Sequence, residues 1–382
     1  MTKPIAPATI AAKADHYLDK NSGGIVPPIM PSTTYARDSS YQPLHGAQVY
    51  ARDNNPTFLQ AERVLATLEH GEEALLFASG MAAVAAVFYT LESGSHVVLP
   101  NSMYWGVLDW TRRYCERASI HVRYYAPAEL ESLASAIASN TKTDLVWVET
   151  PSNPMMHITD VLLAAELAHA AGALLVVDNT VPTPLITRPL ALGADIVMHS
   201  ATKSLNGHSD VIAGALVTRE KSAHWQRIAV ERHDAGALIS PFDAWLLLRG
   251  MRTLAIRVER ANQNTALIAD YLQQHEQVER VFYPGLDIHP GHCVARKQMK
   301  GGYGALLSFQ VRGGKADALA VASCLKLIIS ATSLGGVETL IEHRYSIEPT
   351  ETGVPENLLR LAVGIEDIED LKADLGQALA RN

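Results

Sequence analysis

The chain has 382 residues, 48% of them hydrophobic and 19% charged, with a formal net charge of -8. That apolar content builds a large core and excludes a disordered chain, while the mild acidity offers nucleic acid or an anionic membrane no basic surface. Three scattered cysteines, Cys115, Cys293 and Cys324, suit a reducing compartment rather than a disulfide scaffold. The opening MTKPIAPATIAAKADHYLDK lacks the apolar stretch of a secretory signal. No run approaches the ~20 apolar residues that span a bilayer. The expectation is a soluble, cytoplasmic protein.

Residues 1–54, with GGIVPPIMPSTTYARDSSYQPLHG, are rich in proline, serine and tyrosine and show little periodicity. They read as an extended arm that must lie on another surface, often that of a partner subunit. PTFLQAERVLATLEHG then has helical spacing, with Gly71 expected just past its last turn. Short apolar runs follow: EALLF, HVVLP, LVWVET, ALLVVDNT, DIVMHS and AGALVT. Alanine-rich helices such as DVLLAAELAHAAG separate several of them. Apolar strands alternating with helices predict an α/β unit over residues 55–245, its mostly parallel sheet covered on both faces. The segment PFDAWLLLRGMRTLAIRVERANQNTALIADYLQQH reads as one long helix joining two lobes. With it, residues 246–382 form a smaller α+β domain, with strands in ALLSFQV and LKLIIS and a closing helix in IEDLKADLGQALARN.

In a wound parallel sheet, ligands bind at the carboxyl ends of the strands. LVWV runs into Glu149 and Thr150, with Asn153 beyond; LLVV runs into Asp178, Asn179 and Thr180. DIVMH runs into Ser200, then Thr202 and Lys203, and ALLF runs into Ser79 and Gly80. Taken singly, each has an ordinary reading. A strand-end Asp caps the next helix, hydroxyls bond their own backbone, and lysine sits in solvent. Taken together they make a different set. A glycine turn opening a helix, with hydroxyls nearby, suits a phosphate. A lysine amine can form a Schiff base with an aldehyde, and a neighbouring carboxylate can hold a pyridinium nitrogen. Those are the requirements of pyridoxal 5'-phosphate.

The stretch DIVMHSATKSLNGHSDVIAG resembles the cofactor-lysine motif of the Cys/Met-metabolism family of pyridoxal-phosphate enzymes. That family includes cystathionine γ-synthase, cystathionine β- and γ-lyases and methionine γ-lyase. YARDNNPT, FASGMAA, VETPSNP, VDNT, HPGHCVARKQM, SLGGVETLIEH and LLRLAVGIEDIEDLKADLGQAL extend the resemblance, in order, over nearly the whole chain. It implies the fold-type I architecture and the following roles. Lys203 bonds the cofactor and moves protons, and Asp178 pairs with the ring nitrogen. Gly80 and Met81 give N–H groups, and Ser200 and Thr202 hydroxyls, to the phosphate, with Thr180 beside the cofactor. Tyr50 and Arg52 reach the phosphate from a neighbouring subunit, within a homotetramer built as a dimer of dimers. Tyr104 stacks on the ring. Arg360, with Ser333 and Asn153, holds the substrate α-carboxylate. No metal is implied: HPGH, with His289 and His292, lacks the spacing of an HExxH site.

The resemblance implies a lyase that removes a β- or γ-heteroatom group from an amino acid, a cystathionine-type lyase being the best match. The alternatives are a γ-lyase for a cationic-tailed substrate such as canavanine, and a γ-synthase or O-acylhomoserine sulfhydrylase. Three departures bear on substrate. Gly106 stands where methionine γ-lyases carry cysteine, and Asp109 where cystathionine γ-lyases carry arginine. Thr332 precedes SLGG where those lyases carry glutamate. Asp109 is expected either to read a cationic far end or to cap the helix WTRRYCER. Arg344, where many relatives have proline, is expected in a surface or intersubunit ion pair.

Overall fold

The computed structural model describes residues 5–44, 46, 48–139, 141–348 and 352–380. Seven strands form the larger sheet: β1 (Glu73–Phe77), β2 (His96–Pro100), β3 (His121–Tyr125), β4 (Leu145–Glu149), β5 (Leu174–Asp178), β6 (Ile196–His199) and β7 (Gly214–Thr218). Their order is β1-β7-β6-β5-β4-β2-β3. From β6 to β3 neighbours run parallel, whereas β7 is antiparallel to both β1 and β6. Residues alternate between two apolar layers: Val146, Val148 and Val177 enter one, Trp147, Val176 and Met198 the other. This two-sided burial is why the central strands read as unbroken apolar runs.

Strand β3 escapes the sequence pattern. It lies at the sheet edge with His121 and Tyr124 exposed, so its residues, HVRYY, lack an apolar run. Gly71 is also used differently from its expected role. The helix Pro56–Glu69 ends on His70, which takes the left-handed conformation itself, at φ 60°. Gly71 is needed because a Cβ there would collide with Val217 of β7.

The predicted joining helix is two helices, Pro241–Met251 and Leu254–Gln273. The Gly250 carbonyl accepts from the Thr253 hydroxyl at 3.1 Å and from Arg257 Nη2 at 2.7 Å. These side chains replace the helical ladder at the break. Gly250 also packs against the Asn206 carbonyl, which ties the break to the turn carrying Lys203.

The second sheet holds β8 (Val278–Phe282), β9 (Leu306–Val311), β10 (Ile329–Ser330), β11 (Leu340–His343) and β12 (Leu358–Ala362) in the order β10-β11-β12-β9-β8. Only β10 and β11 pair in parallel. The closing helix Ile368–Leu379 packs Leu371, Leu375 and Leu379 into this domain's core.

The arm docks on its own subunit to a degree its composition hides. It contains a helix, Pro7–Ala12, and buries Ile10, Ala11 and Ala14 in the main core. Trp245 Nε1 donates to the Pro27 carbonyl at 3.0 Å, and Gln60 Nε2 to that of Ala14 at 2.8 Å. Leu18, Ile25, Val26, Tyr41 and Leu44 remain exposed. Residues 1–4, 45 and 47 of the arm lie outside the described residues. Among the described residues, no helix is long and apolar enough to cross a membrane.

Candidate active site

The carboxyl ends of β4, β5 and β6, the turn after β1, and the loop before β11 open onto one cleft. Ser79 caps the helix Gly80–Tyr89, its Oγ accepting from the Ala82 N–H at 3.1 Å. The N–H groups of Gly80 and Met81 precede the first N–H with a helical acceptor, that of Ala83 on the Ser79 carbonyl, and both residues line the cleft. A Cβ on Gly80 would sit 3.0 Å from Ser200 Oγ, so the two strand ends meet this closely only through glycine. Ser200 donates its N–H to Thr180 Oγ1 at 2.8 Å. Thr202 Oγ1 donates to the Ala213 carbonyl at 3.1 Å, which directs its proton at the backbone rather than into the cleft.

Lys203 follows β6 in a tight turn and is half-buried. Its Nζ donates to Ser333 Oγ at 3.0 Å. Burial, reinforced by the charge of Arg360, pulls its pKa down to about 8. The neutral amine is therefore far more accessible near neutral pH than on an ordinary lysine. Ser333 has φ 142°, a backbone state side-chain-bearing residues seldom adopt. Its hydroxyl meets Lys203 while its carbonyl accepts from Arg360 Nη2 at 3.0 Å.

Two buried carboxylates share the cleft. Asp178 ends β5, where its Oδ1 accepts from the Thr180 N–H at 2.9 Å. Burial raises its pKa, opposed by that Thr180 contact. Glu149 ends β4 in register with Asp178. Its Oε2 accepts from the Tyr104 N–H at 2.9 Å and its Oε1 from the Asn153 N–H at 2.7 Å. Burial and the adjacent Asp178 both raise its pKa.

Arg360 lies on β12 and is 3% exposed. Its Nη1 donates to Asn153 Oδ1 at 3.1 Å, and its Nη2 pairs with Glu342 Oε2 at 2.6 Å. Among the described residues, its Nε is buried without a partner. Tyr104 sits at the cleft mouth as the residue capping the helix Trp105–Ala118. Gly106 makes room for its ring: a Cβ there would fall 2.7 Å from Tyr104 Cε1.

The cleft thus gathers Lys203, Asp178, Thr180, Ser200, Thr202, Gly80, Met81, Tyr104, Asn153, Ser333 and Arg360. Tyr50 and Arg52 are exposed and do not line the cleft of their own subunit; Arg52 stacks 5.8 Å over the Tyr50 ring. Two expectations are corrected. Asp109 lies inside the helix, not at its start, and does not line the cleft. Its oxygens pair with Arg112 at 3.1 Å and Arg113 at 2.9 Å, so the capping role does not hold. Arg344 is not a surface residue: it is 2% exposed, pairs within its own chain with Glu342 and Glu348, and lines the cleft. Glu149 stood among the strand-end residues but was given no site role, and Glu342 and Glu348 beside the cleft were missed. For Glu149 the signal was present, since it ends a strand beside Asp178.

These fittings define a class. A depressed-pKa lysine, a free helix N-terminus with a Ser200 hydroxyl, and a buried carboxylate whose burial calls for a cation fit pyridoxal phosphate by amine, phosphate and ring nitrogen. The comparisons agree. A family model described as Cys/Met metabolism PLP-dependent enzyme matches residues 8–380. A cystathionine gamma-synthase of Mycobacterium tuberculosis is 41% identical over 379 residues, 98% of this chain and 96% of that protein. A cystathionine gamma-lyase of Dictyostelium discoideum is 40% identical over 369 residues, 94% of each. The crystal structure of cystathionine gamma synthase from Xanthomonas oryzae pv. oryzae in complex with cystathionine superposes with a TM-score of 0.94 at 38% identity, covering 99% of both chains.

The chain belongs to the Cys/Met-metabolism family of pyridoxal-phosphate-dependent enzymes. It is a carbon–sulfur lyase or synthase of that family, acting on a small amino-acid substrate.

Proposed function

We propose that the enzyme is a cystathionine-type lyase, eliminating a γ- or β-heteroatom substituent from an L-amino acid to give ammonia, a keto acid and the leaving group. The carrying observation is the triangle of Lys203, Ser333 and Arg360, in which a readily neutralised amine stands beside a buried guanidinium. Arg360, with Asn153, receives the α-carboxylate and so turns the α-hydrogen toward Lys203. Lys203 Nζ then takes the α-proton, and Ser333 Oγ holds the amine in place. Bound pyridoxal phosphate supplies the electron sink that makes this proton removable, and Asp178 keeps its ring nitrogen charged. Tyr104 stands at the cleft mouth, where a phenol can serve the proton transfers at the substrate side chain.

Condensation of an activated homoserine with a thiol is the second reading, favoured by the mycobacterial and Xanthomonas γ-synthases among the relatives. The canavanine reading rested on Asp109, which does not line the cleft. One assay separates the three. The purified holoenzyme is offered cystathionine, cystine, O-acylhomoserines, methionine and canavanine, with and without cysteine. Keto acid from cystathionine supports the lyase. Cystathionine formed only from an O-acylhomoserine plus cysteine replaces it with the synthase, and keto acid from canavanine alone replaces it with the canavanine lyase.

We also infer self-association as a homotetramer with shared sites. Exposed Tyr50 and Arg52 and the apolar side chains along the arm support it. The free cysteines support a reducing, cytoplasmic setting.

A further inference from the structure

The cleft contains a second buried arginine that the reaction above does not use. Arg344 Nη1 donates to Glu342 Oε2 at 2.6 Å, the same oxygen that pairs with Arg360 Nη2 at 2.6 Å. Arg344 Nε donates to Glu348 Oε1 at 2.8 Å, and its Nη2 pairs with that oxygen too. All four side chains are at least nine-tenths buried. They form one row, Glu348–Arg344–Glu342–Arg360, with alternating charge. The row ends at the guanidinium whose Nε has no partner among the described residues.

The alternation matters electrostatically. A buried Glu342 facing Arg360 alone would neutralise it and compete with a substrate carboxylate for the same N–H groups. Arg344 draws on the shared oxygen from the far side. Glu348 in turn balances Arg344. Burial opposes the charge on Glu342, but the attraction of Arg360, helped by Thr332 and Arg344, holds its pKa below the usual glutamate value.

We propose that Arg344 is a positioning residue for substrate recognition: by sharing Glu342 Oε2 it keeps Arg360 aimed into the cleft and free to bind the substrate α-carboxylate. The inference rests on the reading that Arg360 takes that carboxylate. Arg344 does not touch the reacting atoms.

The test uses the holoenzyme and two probes that differ only by a carboxylate, L-homoserine and 3-amino-1-propanol. Their binding is read from the change in the cofactor absorbance, with no turnover required. Arg344→Met should weaken L-homoserine about tenfold or more, the scale of one misdirected charge-assisted hydrogen bond. It should leave 3-amino-1-propanol within about twofold, and Arg344→Lys should recover part of the loss. Arg360→Met is the control and should show the same selective loss. If Arg360→Met is selective but Arg344→Met weakens both probes equally or neither, Arg344 has no role in recognition. If Arg360→Met itself is unselective, the carboxylate reading of Arg360 fails instead. Should Arg344→Met fold poorly, Arg344→Gln, which removes the same charge but leaves a polar amide in the buried row, carries the same comparison.

Discussion

Glu149 and Asp178 are direct partners across β4 and β5, two buried carboxylates side by side at the carboxyl end of the sheet. Burial raises both pKa values, and the charge of Asp178 raises that of Glu149 further. In the proposed reading Asp178 takes the cofactor nitrogen. Glu149 works at one remove, tethering the backbone of Tyr104 and of Asn153 through its two oxygens.

This pair sets a pH dependence in the cofactor-free protein. A carboxyl raised in the folded state binds more protons folded than unfolded, so stability is lost as pH rises from the ordinary glutamate value toward the raised one. Thermal unfolding of wild type between about pH 5 and about pH 8 should therefore lose stability by up to about 1.4 kcal/mol per pH unit. Glu149→Gln should flatten that slope. Parallel slopes in differential scanning fluorimetry would place the titration elsewhere.

Lys203 has the opposite sign. Its amine is depressed to about 8, so it becomes a neutral nucleophile well below the ordinary lysine value of 10.5. Cofactor capture by the apoenzyme, fixed with borohydride and mapped to Lys203, should accelerate through about pH 8. An inflection near 10.5 would show an unperturbed lysine.

The proposed sharing of sites between subunits makes a complementation prediction. Arg52→Ala and Lys203→Ala variants should each be inactive. Mixed and allowed to exchange subunits, they should regain activity, because hybrid dimers assemble a site lacking neither residue. Persistent inactivity of a mixture shown by mass to contain hybrids would mean that Arg52 serves its own subunit.

Asp109→Asn should leave selectivity between cystathionine and cationic-tailed substrates within about twofold, and stability within about 1 kcal/mol, since its partners are solvent-facing arginines. A larger shift in kcat/KM ratios would bring Asp109 back to the substrate.

The convergence of Lys203, Asp178 and Gly80 on one cleft was legible because it follows from strand ends, and strand ends follow from local apolar runs. Two-sided burial writes those runs into consecutive residues, so the α/β class and the edge that binds ligand could be read along the chain. The edge strand β3 and the break at Arg252–Thr253 could not. One lacks two-sided burial, and the other is made by Arg257 and Thr253 capturing the Gly250 carbonyl. The same limit hid the arginine row. Glu342 and Arg344 are close in sequence, but Arg360 joins them only because β11 and β12 pair in register, Glu342 opposite Arg360. A charge shows its type in the sequence; its burial, its partner and its effect on a neighbour's pKa arise from distances that exist only after the chain has folded. That is why Asp109, which looked like a helix cap, pairs with two arginines inside its helix, while Arg344, which looked like a surface residue, lines the cleft.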